Sequence, residues 1–302
     1  MAHYYAHGKV LLSGEYVILD GALGIGLPTK MGQHLYVDTK GAGKQLLWES
    51  WQGDQEKWLQ VRLDPDRLTV IDTTDMGMGQ RLSEVLIHAR DLSGGAFQPG
   101  PCRVRTVLEF DRAWGLGSSS TLLSLVAKWA GVDVYALANA TFGGSGYDLA
   151  CAVSDGPLLY QRREGRGHHV RIPFDPPFAD DLYFVYLGQK QNSRSGIQRY
   201  KEAGATPPVG AISQLSLELA SAKKRSGFAE LLREHEQLIA RCTGLKSVGE
   251  VLFSDAPGVV KSLGAWGGDY VLFVSEVPES VVRAYFTERG YTVLHTYRSF
   301  IL

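Results

Sequence analysis

A chain of 302 residues, 44% of them hydrophobic, carries enough apolar surface to bury one large core or two moderate ones. Its 31 basic and 32 acidic side chains leave a formal net charge of −1, which excludes electrostatic capture of nucleic acid or of an anionic membrane. Cys102, Cys151 and Cys242 are odd in number and far apart, which excludes a disulfide framework and a cysteine zinc site; they read as small core residues. The first nine residues lack the basic-then-apolar order of a signal peptide, and no apolar run is long enough to span a bilayer, so a cytoplasmic location is expected.

In chain order, residues 10–12 read as a short buried strand that turns at 13–15, and a second apolar run occupies 16–19. Residues 24–28, with two glycines and a proline, read as a turn-rich passage. Alternation over 33–38 and 45–51, punctuated by Gly41 and Gly43, predicts hairpin strands with one wet face. Leu82, Val85, Leu86 and Ala89 sit at helical spacing, so 78–89 is a helix. Residues 102–110 alternate again and deliver the chain to a glycine- and serine-rich loop at 114–120. Helices are expected over 120–130 and 132–139, then a second glycine-rich loop at 143–146 opens a helix with Asp148 in its first turn.

A strand follows at 157–161. Pro173, Pro176 and Pro177 forbid regular structure and suggest a boundary between domains 1–175 and 176–302. Beyond it come a strand at 182–187, a helix around Tyr200, and amphipathic helices over 212–222 and 228–242, with Lys223, Lys224 and Arg225 capping the end of the first. A third glycine-rich loop, 261–269, runs into a strand at 270–275, and a helix at 279–289 and a strand at 291–296 close the chain. Strands followed by helices, twice over, give an α+β fold in two lobes.

Chemistry concentrates in the three loops. Gly115, Leu116, Gly117, Ser118, Ser119 and Ser120 precede an apolar helix. Glycines let backbone approach backbone, and hydroxyls at a helix start sit beside unsatisfied N–H groups that carry partial positive charge. Such an end either seats a phosphate or merely caps a core helix. Asp148 is either a general base or a carboxylate that favours the dipole of its own helix. Lys9 is either a charge-stabilising group or a surface lysine before a strand, and Glu15 either serves the site or pairs with a nearby loop.

Three such loops in this order resemble the GHMP kinase superfamily, which includes galactokinase, homoserine kinase, mevalonate kinase and phosphomevalonate kinase. Residues 8–15, G-K-V-L-L-S-G-E, resemble the family's first motif, residues 115–119, G-L-G-S-S, its second, and residues 261–268, K-S-L-G-A-W-G-G, its third. The resemblance implies a two-lobed fold with an N-terminal lobe like ribosomal protein S5 domain 2 and a ferredoxin-like C-terminal lobe. It also implies transfer of the γ-phosphoryl group of ATP, with magnesium, to a hydroxyl or phosphate of a small metabolite such as mevalonate or phosphomevalonate, by a monomer or homodimer. By resemblance, Gly115 to Ser120, Gly264 and Ala265 hold the nucleotide, Ser119 reaches magnesium, Asp148 is the base and Lys9 lies near the acceptor. A mevalonate-diphosphate decarboxylase and a non-catalytic binding protein are the alternatives on the same fold.

The sequence departs from the family pattern at several places. His7 replaces the proline of the first motif. Asp111 stands for a proline and Trp114 for a small residue at the second, while Trp266 and Asp269 stand for glycines in the third. Leu137 occupies the place of a metal-binding glutamate, with Asp133 the nearest carboxylate, which leaves the magnesium site open beyond Ser119. Lys190, Arg194 and Arg199 are candidate partners for an acidic acceptor, or a solvated helix start.

Overall fold

The computed structural model describes residues 1–40, 43–189, 193–264, 266 and 268–302, with backbone alone for 193 and 194. The chain opens with strands β1 (Ala2–Ser13), β2 (Gly24–Asp38), β3 (Leu46–Gln52), β4 (Glu56–Leu63) and β5 (Val70–Thr73), helix α1 (Met76–Leu92) and strand β6 (Cys102–Leu108). Helices α2 (Ser118–Ala130), α3 (Val134–Thr141) and α4 (Tyr147–Val153) precede the hairpin β7 (Leu158–Arg163) and β8 (Arg166–Arg171). Strand β9 (Leu182–Tyr186) leads to α5 (Ser193–Glu202), α6 (Val209–Ser221), α7 (Arg225–Thr243) and α8 (Val248–Leu252). Strands β10 (Gly258–Ser262) and β11 (Tyr270–Ser275), helix α9 (Glu279–Thr287), strand β12 (Leu294–Thr296) and helix α10 (Tyr297–Phe300) complete it.

Two compact units result, and neither is a continuous stretch. The first holds residues 1–8, 31–112 and 117–153; the second holds 9–30, 113–116 and 154–302. The division does not coincide with a cut after residue 175, because β1 and β2 each carry residues of both units, and the proline-rich stretch lies inside the second.

In the first unit β3 pairs antiparallel with β4 and parallel with β6, β4 carries β5, and residues 33–38 of β2 run antiparallel to β6. Asp75 starts α1 by accepting a hydrogen bond from the Met78 N–H at 3.0 Å. The helix then buries Leu82, Val85, Leu86 and Ala89 in a core with Trp48, Val61, Val104, Leu125 and Leu137. All are almost fully removed from water, and burial of side chains this size contributes about 1.5–3 kcal/mol each.

In the second unit β10, β11, β9 and β12 form an antiparallel sheet in that order, with Val271 opposite Val185 and Val274 opposite Val259. Its β9 and β11 read as continuous apolar runs, and Val185, Val271 and Phe273 pack with Val282 and Phe286 of α9.

Several expectations need correction. Residues 24–28 are strand, not turn: Gly24 opposes Tyr160, and a Cβ on it would stand 2.6 Å from the Ser13 carbonyl oxygen, so its glycine serves a close backbone approach. Lys261 and Ser262 belong to β10 instead of a loop. Lys224 and Arg225 begin α7 instead of closing a helix, and Arg225 pairs with Asp181 at 3.2 Å. Gly41 lies outside the described residues. Cys102, Cys151 and Cys242 are buried, as expected of small core residues. Among the described residues no helix is long and apolar enough to cross a membrane.

Candidate active site

The second unit gathers parts of all three motifs. The Lys9 N–H donates to the Leu116 carbonyl at 3.0 Å, and the Lys9 ammonium donates to the Gly115 carbonyl at 2.8 Å. One strand of the first motif thus grips the front of the second. Gly115 has φ +68°, and the carboxylate of Asp269 fills the space that a Cβ there would take. Gly264 of the third motif lies beside the same carboxylate, 3.7 Å from where its own Cβ would stand. Lys9, Gly115, Leu116, Gly264, Asp269 and Tyr270 line one small cavity. Trp114 is accommodated outside it: its ring packs against Tyr186 and His295, at centroid distances of 6.3 and 5.3 Å, while the Tyr186 hydroxyl donates to the Ala113 carbonyl at 3.0 Å.

In the first unit the same motif continues as the start of α2. Gly117, at φ +89°, is the helix N-cap, and Ser118, Ser119 and Ser120 form the first turn. The Ser120 hydroxyl is buried and donates back to the Gly117 carbonyl at 2.8 Å, whereas Ser119 is exposed. First-turn N–H groups have no carbonyl one turn back, so this end concentrates donors and partial positive charge.

Helix α4 packs against α2, and three glycines at positive φ, Gly143, Gly144 and Gly146, lead into it. Asp148 is half-buried in its first turn and accepts from the Leu149 N–H at 3.1 Å. Its charge reaches Tyr135 of α3, whose phenol is pushed up to about 12, mainly by burial and then by Asp148. The Tyr135 hydroxyl is buried with no hydrogen-bond partner among the described residues, and nothing in its spacing marks it in the sequence.

Leu137 is wholly buried in the core, and Asp133 caps α3 by accepting from the Ala136 N–H at 2.7 Å. Neither is placed as a metal carboxylate. Among the described residues no cluster of three or more His, Cys, Asp or Glu is arranged to hold a metal. Magnesium carried on nucleotide phosphates keeps several waters and asks the protein for only one or two oxygens, and the exposed Ser119 hydroxyl fits that demand.

Glu15 and the lysine of the third motif prove to be structural. Lys261, with no exposed surface, donates to Glu15 Oε1 at 2.5 Å and to the Ser262 carbonyl at 2.8 Å. Burial pushes the Glu15 carboxyl up to about 7 against the opposing pull of Lys261. His235, also without exposed surface, accepts the Gly14 N–H on Nε2 at 2.9 Å, so the 3.3 Å approach of Glu15 Oε2 to that nitrogen is no hydrogen bond. Burial and the neighbouring Lys261 charge hold His235 well below its ordinary range.

Trp266 does not crowd the loop. Its side chain enters a core cluster with Tyr16, Tyr200, Ile212 and Ile239, and its backbone N–H donates to the Tyr16 hydroxyl at 3.1 Å. Arg199 is exposed. Ala265, Lys190 and the side chain of Arg194 lie outside the described residues. Asp269 is the residue whose place in the site the sequence hid: there it reads only as a missing glycine.

No protein-family profile and no curated protein sequence matches the chain. Solved structures do. The chain is similar to Streptococcus pneumoniae phosphomevalonate kinase, solved in complex with phosphomevalonate and AMPPNP, with TM-score 0.71, 17% identity and coverage of 98% of this chain and 99% of that one. It is similar to the mevalonate kinase of Methanococcus jannaschii, with TM-score 0.71, 15% identity and coverage of 97% and 96%. Lactococcus lactis galactokinase, solved with galactose, matches with TM-score 0.63, 12% identity and coverage of 97% and 92%. These neighbours are GHMP kinases, and the chain has their two-lobed fold.

Proposed function

We propose that the chain is an ATP-dependent kinase of the GHMP type that transfers the γ-phosphoryl group to a hydroxyl or phosphate of a small metabolite, mevalonate or phosphomevalonate in kind. One observation carries the reading: on the fold of these kinases, Gly115 and Gly117 at positive φ lead into α2 with an exposed serine in its first turn. Phosphoryl transfer asks for position and charge neutralisation more than covalent chemistry, and this loop offers backbone donors without side-chain bulk.

Backbone N–H groups from Gly115 to Ser120, with the Ser118 hydroxyl, would cradle the nucleotide phosphates, and by the family resemblance Gly264 and Ala265 would also bind the nucleotide. Ser119 would give an oxygen to magnesium, which when bound neutralises the phosphate charge. Asp148 would take or orient the proton of the acceptor hydroxyl, or orient an acceptor phosphate. Lys9 would stabilise the charge that develops on the transferred group.

The test is ADP release with ATP, magnesium and a panel of mevalonate, phosphomevalonate, mevalonate diphosphate, homoserine and sugars, beside Asp148→Asn. Acceptor-dependent release that the variant lowers roughly 10²–10⁴-fold, as expected for a lost base, supports the reading. Release of carbon dioxide with ADP would assign the chain to a decarboxylase. Nucleotide binding without turnover on every acceptor would favour a binding protein.

A further inference from the structure

We propose that Asp269 is a positioning residue that, with Lys9, clamps Gly115 from two sides and so sets the geometry of the phosphate loop. The inference rests on the kinase reading for its role in turnover, but its structural half stands by itself.

The clamp has two jaws. The Lys9 ammonium holds the Gly115 carbonyl at 2.8 Å, and the Asp269 carboxylate fills the side of Gly115 where any other residue would carry a Cβ. Lys9 and Asp269 line the same small cavity, with Gly264 of the third motif on its wall. Asp269 is itself held rigidly. Its N–H donates to the Gln189 carbonyl at 2.7 Å, its carbonyl accepts from the Leu187 N–H at 2.8 Å, and β11 starts at the next residue.

Its backbone is also strained. Asp269 has φ +52°, in the left-handed region that glycine occupies freely and that an aspartate enters at some cost. A glycine would relieve the strain and keep the turn, so retention of a carboxylate here points to a task for the charge. That task is opposed to direct phosphate binding, because a carboxylate repels phosphate. It suits the cation that lines the same cavity: the Asp269 carboxylate attracts the Lys9 ammonium and helps hold it aimed at Gly115, ready to turn to a transferring phosphoryl group.

Asp269→Asn and Asp269→Gly, each first checked for a native fold by circular dichroism and cooperative melting, provide the test. Steady-state kinetics should show kcat down by at least about tenfold in both, with KM for ATP within about threefold, the pattern of a lost transition-state interaction. A second measurement needs no acceptor. Acetylation of Lys9 by acetic anhydride at fixed pH, read by mass spectrometry, should run several-fold faster in both variants, because loss of a neighbouring negative charge favours the neutral amine. Unchanged Lys9 labelling in both variants overturns the clamp. Faster labelling with unchanged kcat retains the contact and removes Asp269 from turnover. If the wild-type protein turns over no acceptor, the kinase reading fails while labelling still decides the clamp.

Discussion

Lys9 and Lys261 each open a glycine-rich motif, yet the fold uses them oppositely. Lys261 is wholly buried, donates to Glu15 and a backbone carbonyl, and lies on β10, the edge strand of a packed sheet. Lys9 is half-buried, and its ammonium donates to a carbonyl of a glycine loop at the edge of a cavity. A buried ammonium locked to a carboxylate cannot follow a reacting group; a half-exposed one on a loop carbonyl can. Burial, not motif membership, separates the lysine locked in the core from the one proposed to serve the reaction.

The comparison breaks first, and most heavily, at the buried pair. Lys261→Met should leave Glu15 as an uncompensated buried carboxylate and destabilise the protein by about 3–5 kcal/mol in urea unfolding. Adding Glu15→Leu should recover much of that loss, since two apolar residues replace an ion pair at little net cost. A Lys261→Met protein of unchanged stability would show that the pair carries no such weight.

Lys9→Met sharpens the other side. It should lower turnover about 10²–10³-fold, the scale for removal of one transition-state donor, with the urea midpoint within experimental error of wild type. Equal losses of stability in the two lysine variants would erase the distinction between them.

The histidine beside the buried pair gives a pH signature. His235 is held neutral in the fold and titrates in its ordinary range, near 6.5, when unfolded. Its folded value is depressed, so its contribution is present above that range and is lost as pH falls below it, at up to about 1.4 kcal/mol per pH unit. Glu15, whose carboxyl is pushed up to about 7, takes up its proton in the fold over the same window and acts in the opposite sense. His235→Gln should therefore lose less stability than wild type, or gain some, in denaturation curves taken from pH 7 to 5. An equal slope in the variant would assign the pH dependence to other groups. The smallest effect belongs to a cap: Asp133→Ala should cost about 1 kcal/mol in stability and leave turnover intact, because Asp133 caps α3.

Much of this was legible in the chain. Helical spacing placed α1, the apolar run after Ser120 placed α2, and the glycines at 143–146 announced the entry of α4 with Asp148 in its first turn, because these depend on neighbours within a few residues. Strands β4, β5, β8 and β10 were not read from the sequence. β5, β8 and β10 are short and lack a strong apolar signal, whereas β4 does alternate, burying Leu59, Val61 and Leu63, and went unread; the pairing of all four comes from partners in the sheet.

The sequence by itself determined the loops and what they open: glycines at positive φ, serines at a helix start, a carboxylate one turn into another helix. Only the tertiary structure decided which charges would meet. Lys261 finds Glu15 across 246 residues, and the Asp269 carboxylate finds Gly115 from the far end of the third loop. Trp266, which stands where the family pattern has a glycine, is absorbed by Tyr16 and Tyr200. A turn or cap is written in adjacent residues through backbone sterics and local hydrogen bonds. Burial and charge pairing depend on which remote segments pack together, and a linear pattern does not carry that information.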